Sequence, residues 1–363
     1  MSKFIIACGG TGGHLVPGIA IGESLIAAGH QVSFAISKKQ VDSRLVAKYT
    51  NMHFIKMSGV AFSKNPLKFV NFAKEFVSAF LSGRRILKNG KYDVVISFGG
   101  FNSLGISLAA ASLGKPIVLH EANRKTGKAT RLLGYFARRV YVPYGVEIPR
   151  RKINQVKFSG YPLREEIKIV DKTKAKQAFG FPPEANVLLM LGGSQGAAVL
   201  NEWANKNFEN LAHENIDILC VCGQDKNSYA ERETLSKDGT KRYFKTLEFC
   251  DDMASAMSAA NVVVARAGAG TIAELARCKV PSIMVPYPFA ADNHQLENAK
   301  CFEKQGACAV VEQSNIETLF DEICALFENE KLQNAMKKNL ERVDEQNDCS
   351  KIINDLTEIA KGV

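Results

Sequence analysis

The sequence predicts an α/β protein made of two doubly wound, Rossmann-like domains. Three observations carry that reading. Short apolar runs of strand length alternate with helical patterns along most of the 363 residues, the order that builds a parallel sheet with helices on both faces. Several strands run directly into a glycine turn that opens a helix, at residues 9–13, 99–100, 192–196 and 268–270. The alternation breaks once, at Phe158-Ser-Gly-Tyr-Pro162-Leu-Arg164, where Gly-Tyr-Pro favours an extended linker. The first domain is therefore expected over 1–162 and the second over 163–343.

The first element is Phe4-Ile-Ile-Ala-Cys8, apolar and short as a buried parallel strand should be. Gly9-Gly-Thr-Gly-Gly-His14 follows at once, and a helical pattern opens near Pro17, a residue suited to a first helical turn. A helix N-terminus presents unpaired N–H groups and a positive dipole end. A backbone without Cβ atoms lets an anion approach, so Gly10, Thr11, Gly12 and Gly13 read as a diphosphate cradle. His14, at its lip, can either donate to a phosphate oxygen or take a proton. The turn is not a nucleotide P-loop, because no Gly-Lys-Ser/Thr follows. It is also a poor dinucleotide fingerprint. The second strand, 31–36, ends in Ser37-Lys38-Lys39 instead of the acid that would hold a ribose.

Further strands are expected at 53–57, 93–98, 117–121, 139–143 and 156–159. Between the first two lies a helical stretch, Pro66 to Arg85, in which Phe69, Phe72, Phe76 and Phe80 fall three or four apart and share a face. Lys64, Lys68, Lys74, Arg84, Arg85 and Lys88 surround them. Two readings stand: the Phe stripe packs on the sheet as core, or it meets an anionic bilayer interface. The strand at 93–98 ends in Gly99-Gly100 against a small-residue helix, a second anion site by the same physics. The next strand ends in His120-Glu121-Ala-Asn123. His120 and Glu121 are candidates for an acid/base pair, but neighbouring strand residues point to opposite faces, and all three polar groups also suit loop capping. Asn123 is a candidate sugar reader.

After the linker, Arg164 either reaches a nucleotide or pairs with Glu165 or Glu166. The strand 185–191 meets a third glycine turn, Gly192-Gly-Ser194-Gln-Gly-Ala197, where Ser194 adds a hydroxyl donor. Strands at 217–222 and 243–249 follow, the latter running into Cys250. Val262 to Ala265 enters the turn Arg266-Ala-Gly268-Ala-Gly270 and a helix carrying Glu274. That carboxylate is placed either to accept from both ribose hydroxyls or simply to meet the helix dipole. Ser282 to Val285 leads to Asp292-Asn-His294-Gln295, with Asp292 as the expected N-cap and His294 and Gln295 as sugar contacts. The stretch 331–361 reads as one amphipathic helical region.

Bulk composition narrows the class. A hydrophobic share of 46% and a charged share of 23% suit a soluble globular protein, and no apolar run approaches the ~20 residues of a membrane-spanning helix. Strand pattern begins by Phe4, so no signal peptide is expected. Nine cysteines without a CxxC pair read as buried thiols of a reducing cytoplasm. Residues 1–160 hold 24 Lys and Arg against 6 Asp and Glu, whereas the remainder holds 23 against 31. One half therefore faces something anionic. No nucleic-acid signature accompanies the charge, so a membrane surface is the expected partner and nucleic acid is not.

Together these motifs resemble glycosyltransferase family 28, and within it the N-acetylglucosaminyltransferases of peptidoglycan synthesis. The resemblance rests on Gly9 to His14 with Pro17-Gly18, Gly99-Gly100, His120 to Asn123, Gly192 to Ala197, Arg266 to Ala269 with Glu274, and Asp292 to Gln295 with Asn298-Ala299. It spans nearly the whole chain in order. It implies the GT-B architecture, the domains facing each other across a cleft, with the final helix, about 344–363, returning to the first domain. It implies UDP-N-acetylglucosamine on the second domain: Ser194 on the diphosphate, Glu274 on the ribose, Cys250 and Arg164 flanking the uracil, and Ala269, Gly270, Thr271, Ile272 and Ala273 lining the nucleotide. Gln295, Asn123 and His294 would read the sugar, and Thr11, Gly12 and Gly13 would line the cleft. The acceptor implied is undecaprenyl-diphosphate-linked muramyl pentapeptide, its diphosphate held by Gly10 to His14 with Gly99 and Gly100. Phe69, Phe72, Phe76, Phe80, Lys68, Arg84 and Arg85 would form the membrane surface. No cofactor or metal is implied. The expected location is peripheral, on the cytoplasmic face of the inner membrane, beside cell-wall synthesis and division proteins. Two residues depart from the family pattern: Ala267 replaces a Ser, and Cys250 an aliphatic residue.

The implied chemistry is displacement at the anomeric carbon with inversion. Helix N-termini and Ser194 would stabilise the departing diphosphate. His14 is the candidate base, with acceptor-diphosphate binding as its rival role. Alternatives are a UDP-N-acetylglucosamine 2-epimerase, a diacylglycerol glucosyltransferase, or a nucleotide-binding scaffold without catalysis.

Overall fold

The computed structural model describes residues 1–9, 12–38, 45–58, 66–146, 148, 155–193, 196–223 and 229–362. The chain forms two compact units, Met1–Glu165 with Gln346–Val363, and Glu166–Glu345. The division falls three residues beyond the expected boundary, so Arg164 belongs to the first unit.

The first unit is built on β1 (Lys3–Ala7), β2 (Gln31–Ser37), β3 (His53–Met57), β4 (Val94–Ser97), β5 (Ile117–His120), β6 (Arg139–Val142) and β7 (Val156–Phe158). All pair in parallel, in the order β3-β2-β1-β4-β5-β6-β7. The central strands are apolar on both faces because helices cover both. Alternate residues divide between two cores. Ile5, Ala7 and Val95 face α2 (Pro66–Gly90), α3 (Phe101–Ser112) and α4 (Lys128–Leu133), whereas Phe4, Ile6, Val94 and Ile96 face α1 (Gly12–Ala27) and the C-terminal helix Ser350–Ala360. Helix α1 begins at Gly12, earlier than expected from Pro17, which lies inside it. Proline lacks the N–H that would bond the carbonyl four residues back, so Gly13 receives no helical bond from that position.

The second unit repeats the plan with β8 (Asn186–Leu191), β9 (Ile216–Val221), β10 (Arg232–Leu235), β11 (Lys241–Leu247), β12 (Val262–Ala265), β13 (Ser282–Met284) and β14 (Ala309–Val310). Their order is β10-β11-β9-β8-β12-β13-β14, parallel except for the hairpin partner β10. The helices α5 (Lys172–Ala178), α6 (Ala198–His213), α7 (Met253–Ala259), α8 (Ala269–Cys278), α9 (His294–Lys304), α10 (Leu319–Glu328) and α11 (Glu330–Asp344) complete it. In each sheet the chain starts in the middle and builds outward in both directions. The points of reversal, β1/β4 and β8/β12, are where doubly wound sheets leave a crevice at the strand ends.

The stretch 331–361 is interrupted. Helix α11 closes the second unit, a short turn follows at Glu345–Asn347, and the last helix belongs to the first unit. The crossing is close: a Cβ at Gly160 would lie 2.0 Å from the Gln346 carbonyl oxygen, and the Tyr161 N–H donates to Asn347 Oδ1 at 2.9 Å. The last helix is anchored by Asp355, which accepts from Arg139 Nε at 2.8 Å, Lys157 Nζ at 2.9 Å and the Tyr141 hydroxyl. Burial alone would raise the Asp355 pKa, but the donors outweigh it and hold the carboxyl below its ordinary range.

Candidate functional site

In the first unit, two glycine turns meet at the reversal point. The α1 N-terminus carries His14, whose ring lies over the second turn: a Cβ at Gly100 would be 3.1 Å from His14 Cε1. Gly99 and Gly100 have φ of 80° and 77°, backbone that an L side chain adopts only under strain. Ser103, one turn into α3, staples this shape, its Oγ lying 2.8 Å from the Gly99 carbonyl oxygen and 3.0 Å from that of Gly100. No side chain caps α3, so its first N–H groups face the turn. Gly12, Gly13, His14, Gly99 and Gly100 thus form one neighbourhood. Gly10 and Thr11 lie outside the described residues.

His120 and Glu121 are not an acid/base pair. Glu121 is buried and spent on its own loop. Its Oε1 accepts from the Asn123 N–H at 3.1 Å and Asn123 Nδ2 at 3.2 Å, and its Oε2 from the Gly127 N–H at 2.8 Å and the Thr130 hydroxyl at 3.0 Å. Asn123 is thereby held with its amide oxygen turned away from the carboxylate. His120 points to the other face, with Nε2 3.2 Å from the Gly160 carbonyl and its ring 5.3 Å from that of Phe98. A carbonyl only accepts, so Nε2 carries the proton. Nδ1 is buried with no hydrogen-bond partner among the described residues. Burial depresses its pKa to about 4, against smaller opposing effects of the Gly160 carbonyl and Glu121. Arg164 is buried in the first unit, with Nη1 3.4 Å from the Tyr49 hydroxyl. No signal near Arg164 pointed to Tyr49.

Two turns also flank the reversal point of the second unit. At the first, a Cβ on Gly192 would meet the Ala197 nitrogen at 2.2 Å, so only glycine permits the fold-back. Helix α6 follows without a side-chain cap. Ser194 and Gln195 lie outside the described residues. At the second turn, α8 opens after Gly268, again uncapped by a side chain. Ala269, Gly270, Thr271, Ile272 and Ala273 form its start. Glu274, half-buried, comes beyond the first turn, where the helix dipole has largely faded. The dipole reading therefore explains little at this position. Ala267 is fully buried, and its carbonyl accepts from Asn298 Nδ2 at 3.2 Å. Cys250 is buried just ahead of Asp252, which caps α7 by accepting from the Ser255 N–H at 2.9 Å.

The Asp292 cap expected for α9 is not formed. Asn293 holds the N-cap position without a side-chain bond, and both Asp292 and Asn293 are left-handed, with φ of 53° and 57°. His294 Nδ1 donates to the Ala291 carbonyl at 2.8 Å, which leaves Nε2 as an acceptor in the neutral ring. Gln295 Oε1 accepts from the Tyr287 N–H at 2.9 Å.

Phe72, Phe76 and Phe80 of the α2 stripe are half-buried and turned toward the core of their unit. Phe76 and Phe80 pack against the first unit's core, and Phe72 stacks on Phe76 and meets Phe101 edge-on. The opposite face carries Val70, Val77 and Leu81, exposed at 68%, 53% and 59%. Lys74, Arg85 and Lys88, all exposed, share that face by helical spacing. Arg84 is half-buried over the Phe80 ring, with Nη1 at 2.5 Å from Ser112 Oγ. The side chains of Lys68 and Phe69 lie outside the description. Among the described residues, no helix is long and apolar enough to cross a membrane.

Two Rossmann-like units, each with glycine turns at the reversal point of its sheet, form the architecture of the GT-B glycosyltransferases. The chain is similar to the crystal structure of Acinetobacter baumannii MurG, with a TM-score of 0.72, 26% identity, and 99% of this chain and 100% of that chain covered. Its likeness to CalG4, the calicheamicin glycosyltransferase, at a TM-score of 0.67 and 13% identity over 100% and 99% of the chains, speaks to fold alone. Residues 4–142 match the glycosyltransferase family 28 N-terminal domain and residues 187–355 its C-terminal domain; the chain belongs to glycosyltransferase family 28. It is 43% identical to the UDP-N-acetylglucosamine–N-acetylmuramyl-(pentapeptide) pyrophosphoryl-undecaprenol N-acetylglucosamine transferase of Opitutus terrae, over 99% of this chain and 96% of that one. It is 32% identical to the transferase of the same name from Francisella tularensis, over 97% and 96%.

Proposed function

We propose that the chain transfers N-acetylglucosamine from UDP-N-acetylglucosamine to undecaprenyl-diphosphate-linked N-acetylmuramyl pentapeptide, inverting the anomeric carbon. The observation that carries this reading is the pair of glycine turns at the reversal point of each sheet. Both substrates bear a diphosphate, and each unit offers helix N-termini that suit one.

In the second unit, Ser194 and the turn around Gly192 hold the donor diphosphate, and the charge that develops as UDP departs is met by N–H groups already aligned there. Glu274 accepts from the ribose hydroxyls, Ala269 to Ala273 line the nucleotide, and Cys250 flanks the uracil; Arg164, buried against Tyr49 in the first unit, is left out of the nucleotide contacts. Gln295, His294 and Asn123 read the sugar, and Thr11, Gly12 and Gly13 complete the donor contacts. In the first unit, Gly10 to His14 with Gly99 and Gly100 take the acceptor diphosphate. His14 removes the proton of the attacking hydroxyl, or else hydrogen-bonds that diphosphate. The lipid tail is met by the exposed α2 face of Val70, Val77 and Leu81 with Lys74, Arg85 and Lys88, which suits an anionic interface. This puts the protein at the periphery of the cytoplasmic face of the inner membrane, in reach of cell-wall synthesis and division proteins.

One radiolabel assay tests the reading. Labelled UDP-N-acetylglucosamine is incubated with the lipid-linked muramyl pentapeptide, with diacylglycerol, or with no acceptor. Transfer is expected only in the first arm. Label on diacylglycerol would identify a glycolipid synthase, and an epimerised sugar without acceptor would identify an epimerase; either result replaces the proposal.

A further inference from the structure

Arg266 is a buried cation whose donors are engaged beneath the loop after β13. Nη1 donates to the Val285 carbonyl at 3.0 Å and to the Pro286 carbonyl at 3.2 Å, and Nη2 to Gln313 Oε1 at 2.6 Å. Its guanidinium lies 5.5 Å from the centre of the Tyr287 ring. Only 6% of Arg266 is exposed, so it is poorly placed to meet a ligand itself. What it holds is the peptide that ends in the Tyr287 N–H, the group that Gln295 accepts from. An amide that accepts through Oε1 turns its NH2 to the other side. Gln295 is anchored a second way, because Asn298, on the same helix, donates to the carbonyl of Ala267, the residue next to Arg266.

We propose that Arg266 is a positioning residue for the donor sugar. By gripping two successive carbonyls it fixes the Tyr287 N–H, and that N–H fixes the side-chain amide of Gln295 with its NH2 presented as a donor to a hydroxyl oxygen of the hexosamine. The inference rests on the reading that Gln295 contacts the sugar. It predicts an effect confined to the sugar, since the nucleotide contacts lie on α8 and the other turns. Lysine is not equivalent here, because a point charge cannot hold two carbonyls and a glutamine in one planar fork.

The test measures the KM for UDP-N-acetylglucosamine and the inhibition constant of UDP in Gln295→Ala, Arg266→Lys and the double variant. Loss of one aligned hydrogen bond is on the order of a tenfold change. Arg266→Lys is expected to raise the donor KM roughly tenfold while leaving UDP inhibition within about twofold. The double variant should be no worse than Gln295→Ala, as for two residues acting through one contact. A parallel loss of UDP and UDP-sugar binding in Arg266→Lys, or additive effects in the double variant, would overturn the inference. If Gln295→Ala leaves the donor KM unchanged, it is the sugar-reading role of Gln295 that fails. Should Arg266→Lys not fold, Gln313→Ala, which frees the far side of the same guanidinium at a half-exposed position, must raise the donor KM about threefold without touching UDP inhibition; no change would refute the proposal.

Discussion

At the scale of single residues, the site combines groups that sequence marks with groups that only packing reveals. His14 is marked by its place after five residues of which four are glycine. That its ring lies over Gly100 is a tertiary fact, because the two turns meet only through the β1–β4 pairing. His14→Ala is expected to leave UDP-sugar affinity near wild type and to lower turnover by about 10²- to 10⁴-fold, the range of a lost general base. Turnover within a few-fold of wild type would remove it from the mechanism. His120, three residues before Asn123, makes a different prediction. Its folded pKa of about 4 lies below the usual 6.5, so the unfolded chain binds a proton first. Stability from a neutral His120 is full above pH 6.5 and is lost as pH falls from there toward 4. The total is on the order of 3 kcal/mol. His120→Gln keeps a donor for the Gly160 carbonyl and should flatten the fall of unfolding free energy between those pH values. An unchanged slope would mean that other groups carry it. Adjacency in sequence suggested a pair with Glu121; strand alternation and the loop bonds of Glu121 explain why none exists.

At the scale of elements, the strands and glycine turns of the site were largely legible, and helix orientation was not. Periodicity put the Phe residues of α2 on one face, but a stripe at that spacing reads alike whether it meets a sheet or a bilayer. The core decided. Gly105 of α3 sits so close to α2 that a Cβ there would be 2.7 Å from Ala79 Cβ, and this crossing turns Phe76 and Phe80 inward. Val70, Val77 and Leu81 drew no attention because their spacing is interrupted by Lys74 and small residues. If this face meets anionic lipid, Val77→Asp with Leu81→Asp should cut sedimentation with phosphatidylglycerol vesicles by tenfold or more. Each exchange loses apolar burial worth about 1–2 kcal/mol and adds a repelled charge. The paired control, Phe76→Leu, should alter stability and leave vesicle binding nearly unchanged. Equal binding by the Asp variants would move the membrane contact elsewhere. Strands β10 and β14 also went unseen, the first as a short polar edge and the second as only two residues.

At the scale of the whole molecule, residue patterns show a break near residue 160, whereas the return of the final helix to the first unit followed only from the family resemblance. The amphipathic stretch near the end looks continuous. Its division follows from contacts made across some 186 residues, as between Tyr161 and Asn347, and those leave no local pattern. The return gives the first unit a C-terminal helix held by one buried carboxylate on β6 and β7. Removing one partner of a buried ionic cluster typically costs about 3–5 kcal/mol; Lys157 is half-exposed and stays solvated, so the lower end applies to Asp355→Asn. Because the two units have separate cores, calorimetry should show the transition of the first unit lowered and that of the second unmoved. UDP, if it binds the second unit, should raise only the transition that Asp355→Asn leaves alone. The pH dependence differs from that of His120. Asp355 is held below its ordinary value of 3.8, so its stabilisation persists above that pH and is lost only as pH falls through the lower folded value. Acid should therefore weaken the first unit in two stages, through His120 from pH 6.5 downward and through Asp355 below about 4. A single variant that shifts both calorimetric transitions equally would show that the two units unfold as one.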